Sequence, residues 1–189
     1  MARTHADPEQ DEEGQMPDAN EVQPVVAQLL APRGAVLPRD ALGVLPLHSL
    51  DVALEHGLEI GGWIPKGRLA EDAPISDRYG GLLETDSADP SVRTILNVRD
   101  SDATLILSHS PLQGGSLLTL QEARKLGRSV LHIDLAITPQ AVATAQLCEW
   151  LRSVDPSTLN IAGPRASQDA AIYRSVLELL KAVLPALAK

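Results

Sequence analysis

Apolar residues recur along this chain with two periods, and the alternation between them suggests the architecture. Leu47, Leu50 and Leu54 lie at helical spacing, with Gly57 placed to end a helix in a left-handed turn. Leu58-Glu-Ile-Gly-Gly-Trp-Ile64 is a short apolar run interrupted by paired glycines. Asp89-Pro90 reads as an N-cap with proline in the first helical position, opening a helix through Val92, Ile95 and Leu96. Ala103-Thr-Leu-Ile-Leu107 reads as a buried strand, and Ser129-Val-Leu-His-Ile133 as another. Between them, Thr119-x-x-Glu122 fits a capping box for a helix carrying Leu120, Ala123 and Leu126, with Gly127 as its stop. Thr138-Pro139 is placed to cap a helix whose stripe is Ala143, Leu147, Trp150, Leu151 and Val154. Leu159-Asn-Ile-Ala162 predicts a last short strand. A final helix has Ile172, Val176, Leu179, Leu180 and Val183 on one face.

Short continuous apolar strands alternating with helices predict an α/β fold, with a mostly parallel sheet covered on both faces. Ligands of such folds bind at the carboxyl ends of the strands. Residues 23–47 fit this scheme less well. Val25, Val26, Leu29 and Leu30 suit a short amphipathic helix and Gly34-Ala-Val-Leu37 a short strand, while Pro32, Pro38 and Pro46 cut the stretch into pieces.

Composition narrows the function classes. The net charge is −9 over 189 residues. Residues 1–22 hold seven acids and one base, so residues 23–189 carry only −3, from 18 acids and 15 bases. The polar acidic segment 1–22 is expected to be a disordered tail preceding a single domain, residues 23–189. Overall acidity argues against duplex nucleic acid, and two Trp and two Tyr offer no stacking platform for single strands. A single cysteine excludes a disulfide framework and multi-cysteine zinc sites. No apolar run approaches the ~20 residues of a membrane span, and the first residues lack a signal-peptide core, so a cytoplasmic protein without membrane contact is expected.

Four loops carry candidate chemistry. In the first, Gly61, Gly62 and Gly67 allow close backbone approach, Trp63 offers a ring face, Lys66 and Arg68 suit an anion, and Glu71 and Asp72 accept hydrogen bonds. The second places Asn97, Asp100 and Asp102 between a helix and a strand. The acid pair there is a weak metal signal, and no metal site is expected. The third, Ser108-His-Ser-Pro-Leu-Gln-Gly-Gly-Ser-Leu-Leu-Thr119, runs from a strand into a helix. Gly114, Gly115, Ser116 and Thr119 lie where a helix N-terminus cradles phosphate, although the loop is neither a dinucleotide fingerprint nor a P-loop. His109 is expected to make a local hydrogen bond. The fourth carries Gly163, Arg165 and Ser167, with Asp169 or Ser167 as the N-cap of the last helix. No nucleophile triad emerges, no catalytic residue is assigned, and Cys148 on a helix stripe is expected to pack.

In this order the loops resemble the molybdenum-cofactor carrier family, in the Rossmann-like group that also contains the lysine-decarboxylase-like (LOG) proteins, the SLOG group. The matching stretches are residues 61–72, Tyr79 with Leu83-Glu-Thr85, residues 97–107, Gly114-Gly-Ser-x-Leu-Thr119 and Asn160-Ile-Ala-Gly-Pro-Arg-x-Ser167. The resemblance implies a Rossmann-like three-layer α/β/α domain, usually a homo-oligomer, holding the phosphorylated pterin of molybdenum cofactor. Gly61, Gly62, Lys66 and Arg68 would line the pocket. Gly114, Gly115, Ser116 and Thr119 would bind phosphate, Asn97, Asp100 and Asp102 would support the loops, and Gly163, Arg165 and Ser167 would close the far side.

One stretch departs from the family. Its usual S-G-G-Q-T-G-x-D-R-A-A-L-D segment corresponds here to Asp40-Ala-Leu-Gly-Val-Leu-Pro-Leu-His-Ser-Leu-Asp51, which keeps Gly43-Val44 and Leu50-Asp51 and loses the paired glycines. The function expected is a carrier of a small anionic ligand, without chemistry. Two alternatives stay open. One is a nucleotide-ligand sensor or an interaction protein. The other is a LOG-like N-glycosidic hydrolase, whose P-G-G-x-G-T-x-x-E motif is partly kept in Gly114 to Glu122.

Overall fold

The computed structural model describes residues 27–30, 48–69, 74–164 and 168–187. The tail 1–22, the segment Gly34–Leu37 and the altered family segment 40–47 lie outside them. In chain order the elements are β1 (Ala27–Leu30), α1 (His48–Glu55), β2 (Glu59–Ile64), β3 (Leu82–Glu84), α2 (Pro90–Arg99), β4 (Ala103–Ser108), α3 (Gly114–Lys125), β5 (Ser129–Asp134), α4 (Gln140–Val154), β6 (Thr158–Ala162) and α5 (Ile172–Leu187).

Among the described residues the six strands form one sheet in the order β3-β2-β1-β6-β4-β5. β2 and β3 pair in parallel, as do β6 with β4 and β4 with β5. β1 runs antiparallel to both of its neighbours, β2 and β6. Five strands therefore point the same way, and their carboxyl ends share one edge. Helices α2 and α3 pack together on one face, and α1, α5 and α4 form a contiguous layer on the other. The fold is Rossmann-like α/β.

The apolar strands set the centre. All six residues of β4 are buried, and Leu105, Ile106 and Leu107 are wholly excluded from solvent. Burying each such side chain favours folding by roughly 2 kcal/mol. Leu147, Leu151 and Cys148 of α4 and Leu179, Leu180 and Val183 of α5 share one core cluster with Leu105 and Leu107, so Cys148 packs in the core.

Three expectations are corrected. Leu29 and Leu30 lie in a strand, because β1 completes backbone ladders on both sides, which outweighs a short amphipathic pattern. The helix after β4 begins at Gly114, five residues before the predicted capping box. Thr119 is inside it, and its hydroxyl donates to the Gly115 carbonyl one turn back at 2.8 Å. α4 starts after Pro139 without a side-chain cap, so Thr138 does not serve as one. Strand β3 has three residues, too few to show a period in the sequence.

Candidate functional site

On the β2 side, the predicted residues are engaged by the protein itself. Gly61 and Gly62 are buried within β2. Asn97, wholly buried on α2, clamps that strand. Its Oδ1 accepts from the Trp63 backbone N–H at 2.7 Å, and its Nδ2 donates to the Trp63 carbonyl at 2.9 Å. The Trp63 indole N–H donates to Asp100 at 2.8 Å. Asp100 also takes two bonds from Arg99, the main reason its carboxyl is held below the usual carboxylate range; the Trp63 bond adds to this, while burial opposes it. Arg68 adopts a left-handed backbone (φ 55°). Its guanidinium donates to the carbonyls of Ile75 and Ser76 and lies 3.2 Å from Asp77. The Gly67 N–H donates to Glu84 at 2.7 Å, while Lys66 is exposed. Glu71 and Asp72 lie outside the described residues.

Two of the predicted positions are not among the residues that line the cavity described below. Asp102 sits at the amino ends of β4 and β6, where its carboxylate accepts from the Thr158 N–H at 2.8 Å and its own N–H donates to the Thr158 carbonyl. That is the edge opposite the carboxyl ends. Thr119 spends its hydroxyl inside α3.

The β4 side is organised differently. A cavity of about 280 Å³ opens at the carboxyl ends of β4 and β6, lined chiefly by Ser108, Ser110, Gln113, Ser116, Gln168 and Asp169. It brings together the third and fourth predicted loops. Gly114 opens α3 with a φ of 47°, a conformation that favours glycine. The N-cap residue Gln113 makes no side-chain cap, so among the described residues the first-turn N–H groups have no side-chain acceptor beside the cavity. Gly115 and Ser116 are buried there. Gly163 sits where a Cβ would come within 2.7 Å of the Leu107 carbonyl, so β6 and β4 approach closely at the cavity's rim. Arg165 and Ser167 lie outside the described residues.

The Ser108 hydroxyl donates to the Ser110 carbonyl at 2.7 Å and lies 2.9 Å from His132 Nε2, which must then carry the proton. Partial burial pushes the His132 imidazole down, and Asp134 opposes that shift. Glu122, the residue a LOG-like hydrolysis would need, lies two turns along α3 beside Lys125 at 3.2 Å and does not line the cavity.

Two clusters join residues whose pairing the sequence did not predict. His109 does not bond locally: its Nδ1 lies 2.8 Å from Asp169 and its Nε2 3.0 Å from Ser175, 66 residues away. Ser175 and His109 are not among the residues lining the cavity. Asp169 also caps α5, its other oxygen accepting from the Ala171 and Ile172 N–H groups, as expected of an N-cap. On the β2 side, buried Asp51 accepts from Arg78 at 2.7 Å and from the Tyr79 hydroxyl at 2.9 Å, and Arg78 also bonds Tyr79. Burial is the main reason the Tyr79 phenol is raised. Among the described residues, no three His, Cys, Asp or Glu side chains come together as a metal site. No described helix is long and apolar enough to cross a membrane.

The sheet order and the helices packed against the sheet define a Rossmann-like α/β domain. Residues 47–184 match the circularly permutated YpsA SLOG family, and the chain belongs to that family. It is also similar to a solved structure named "putative molybdenum carrier protein" from Syntrophus aciditrophicus SB. The two are 44% identical with a TM-score of 0.69, over 71% of this chain and 85% of that one. No curated protein matches the chain.

Proposed function

We propose that the protein is a molybdenum-cofactor carrier, binding a phosphorylated pterin or a related nucleotide-like anion at the carboxyl ends of β4 and β6 without chemistry. The observation that carries this reading is the N-terminus of α3, which lacks a side-chain cap and faces a cavity lined by hydroxyls, amides and the Asp169 carboxylate beside Pro111, Leu112 and Pro164. Oriented N–H groups and the positive end of the helix dipole suit a phosphate. At about 280 Å³ the cavity is at the small end for a ligand pocket, which suits the phosphate-bearing part of a larger cargo. Gln113 can donate to and accept from ring heteroatoms. The name of the similar structure agrees with such a cargo. The partner is a small anion, and the protein acts as a cytoplasmic homo-oligomer.

A second reading, a sensor of a simpler nucleotide-like ligand, is favoured by the β2 side. There Arg68 and Trp63 are bonded within the chain and not offered to a second half of a ligand.

Intact-complex mass spectrometry on full-length protein freshly purified from a molybdenum-competent host separates the two. The carrier releases a phosphorylated pterin with its characteristic ultraviolet absorption, and Gly115→Asp, which puts a carboxylate against the phosphate, abolishes it. A nucleotide mass supports the sensor. Ligand-free protein from such a host overturns the carrier.

A further inference from the structure

We propose that anion binding in this cavity is coupled to protonation of His109, so that the ligand is held more tightly as pH falls. The inference rests on reading the cavity as an anion site. Asp169 contributes the one carboxylate among the described lining residues. A carboxylate in the wall repels an incoming phosphate, and a positive charge directly behind it cancels that repulsion. His109 Nδ1, 2.8 Å from the Asp169 carboxylate, is placed to supply that charge.

The surroundings suit both forms of the ring. When His109 is protonated, Nδ1 donates to Asp169 and Nε2 donates to the Ser175 hydroxyl, 3.0 Å away. When it is neutral, the Ser175 hydroxyl rotates to donate to Nε2, and the Asp169 charge is left uncompensated. Proton exchange therefore changes the charge at the cavity wall without breaking either contact. Asp169 stays in place because its other oxygen caps α5 through Ala171 and Ile172.

The other titratable groups nearby are of both signs. On β5, which flanks β4, Asp134 pairs in register with Ser108, and His132 bonds Ser108 with its imidazole already biased toward neutrality. On α5, Arg174 and Glu178 flank Ser175 in sequence and are exposed. The first turn of α3 contributes no titratable side chain. By linkage, a bound anion draws a proton onto His109, and the proton strengthens anion binding by the same factor.

Sulfate is the probe of choice, because it remains a dianion across the range and any pH dependence belongs to the protein. Calorimetric titration of the full chain between about pH 5.5 and pH 8, in buffers of differing ionisation enthalpy, reads affinity and proton uptake together. The wild type is expected to bind roughly tenfold more tightly at the acid end, with proton uptake on binding. His109→Gln holds sulfate at the weak alkaline level throughout. Asp169→Asn, which preserves the helix cap, binds tightly and without slope. His132→Gln keeps the slope. Sulfate binding that is independent of pH in the wild type, or a slope that survives His109→Gln, overturns the coupling and leaves the anion site standing. Failure to bind sulfate at any pH overturns the anion site and the coupling with it.

Discussion

The two halves of this sheet carry similar loop chemistry and use it in opposite ways. Beside β2, the glycines, the tryptophan, the arginine and Asp100 are consumed within the chain: Asn97 and Asp100 hold Trp63, and Arg68 holds the carbonyls of Ile75 and Ser76. Beside β4 and β6, the loop is hydroxyl- and amide-rich, the helix behind it has no side-chain cap, and a cavity remains. The capping pattern makes the same point. α2 has Asp89 accepting from Ser91 and α5 has Asp169, whereas α3 and α4 both begin without a side-chain cap, and of these two only α3 contributes described residues to the cavity wall. A motif signals a site only if its donors are left over after the fold has been satisfied.

If β2-side residues serve the fold, their loss should cost stability and leave anion binding intact. Gly81→Ala is expected to have the largest effect. Its backbone sits at φ 87°, and a Cβ would meet the Ile60 carbonyl at 2.6 Å. A loss of about 3 kcal/mol is expected from urea unfolding, through strain and forced displacement of β2. Asn97→Ala should follow at about 2 kcal/mol, since it leaves the part-buried Trp63 N–H and carbonyl without their Asn97 partner. Sulfate affinity of the folded fraction should be unchanged in both. A parallel loss of binding would break the division between the halves.

The complementary substitution is Ser116→Ala. Ser116 is buried and lines the cavity, and its hydroxyl makes no hydrogen bond among the described residues. Sulfate affinity should fall about fivefold, near 1 kcal/mol, with the unfolding midpoint almost unmoved. A larger loss of stability than of affinity would place Ser116 with the β2-side residues.

How much of this the sequence revealed follows from the range of the interactions. Helix α2 was legible because Asp89, Pro90 and the apolar stripe are neighbours. The strands β4, β5 and β6 were legible from continuous apolar runs. The third loop was legible as a cradle, although the helix start was misplaced because Thr119 and Glu122 mimic a capping box that the chain does not use. Side-chain pairings over long range were not legible. Trp63 meets Asp100 across 37 residues and His109 meets Ser175 across 66. Periodicity reports which face of an element is buried, and residue type reports what a group can donate. Neither reports which partner the fold supplies, so Asp102 was placed at the site although β4 carries it to the opposite edge.

The smallest expected effect is the most diagnostic, because the two halves should titrate in separate pH windows. On the β4–β5 side, partial burial lowers the His132 pKa from its usual 6.5, with Asp134 opposing. The unfolded chain therefore takes up this proton first as pH falls. The neutral ring contributes its stability in full above about pH 6.5, and that stability drains away as pH drops from there through the folded value. On the β2 side, Asp100 is lowered from 3.8 chiefly by its bonds from Arg99 and also by the Trp63 bond. Its contribution is complete above that value and is lost only in stronger acid, as pH falls through the folded value. Unfolding free energy measured against pH should therefore decline in two stages. His132→Gln should flatten the first stage, and Asp100→Asn the second. Both effects should be modest, because solvent screens these partly exposed groups. If His132→Gln flattens the acid stage, or Asp100→Asn the near-neutral one, the halves share a titration and the separation drawn from their hydrogen bonds fails.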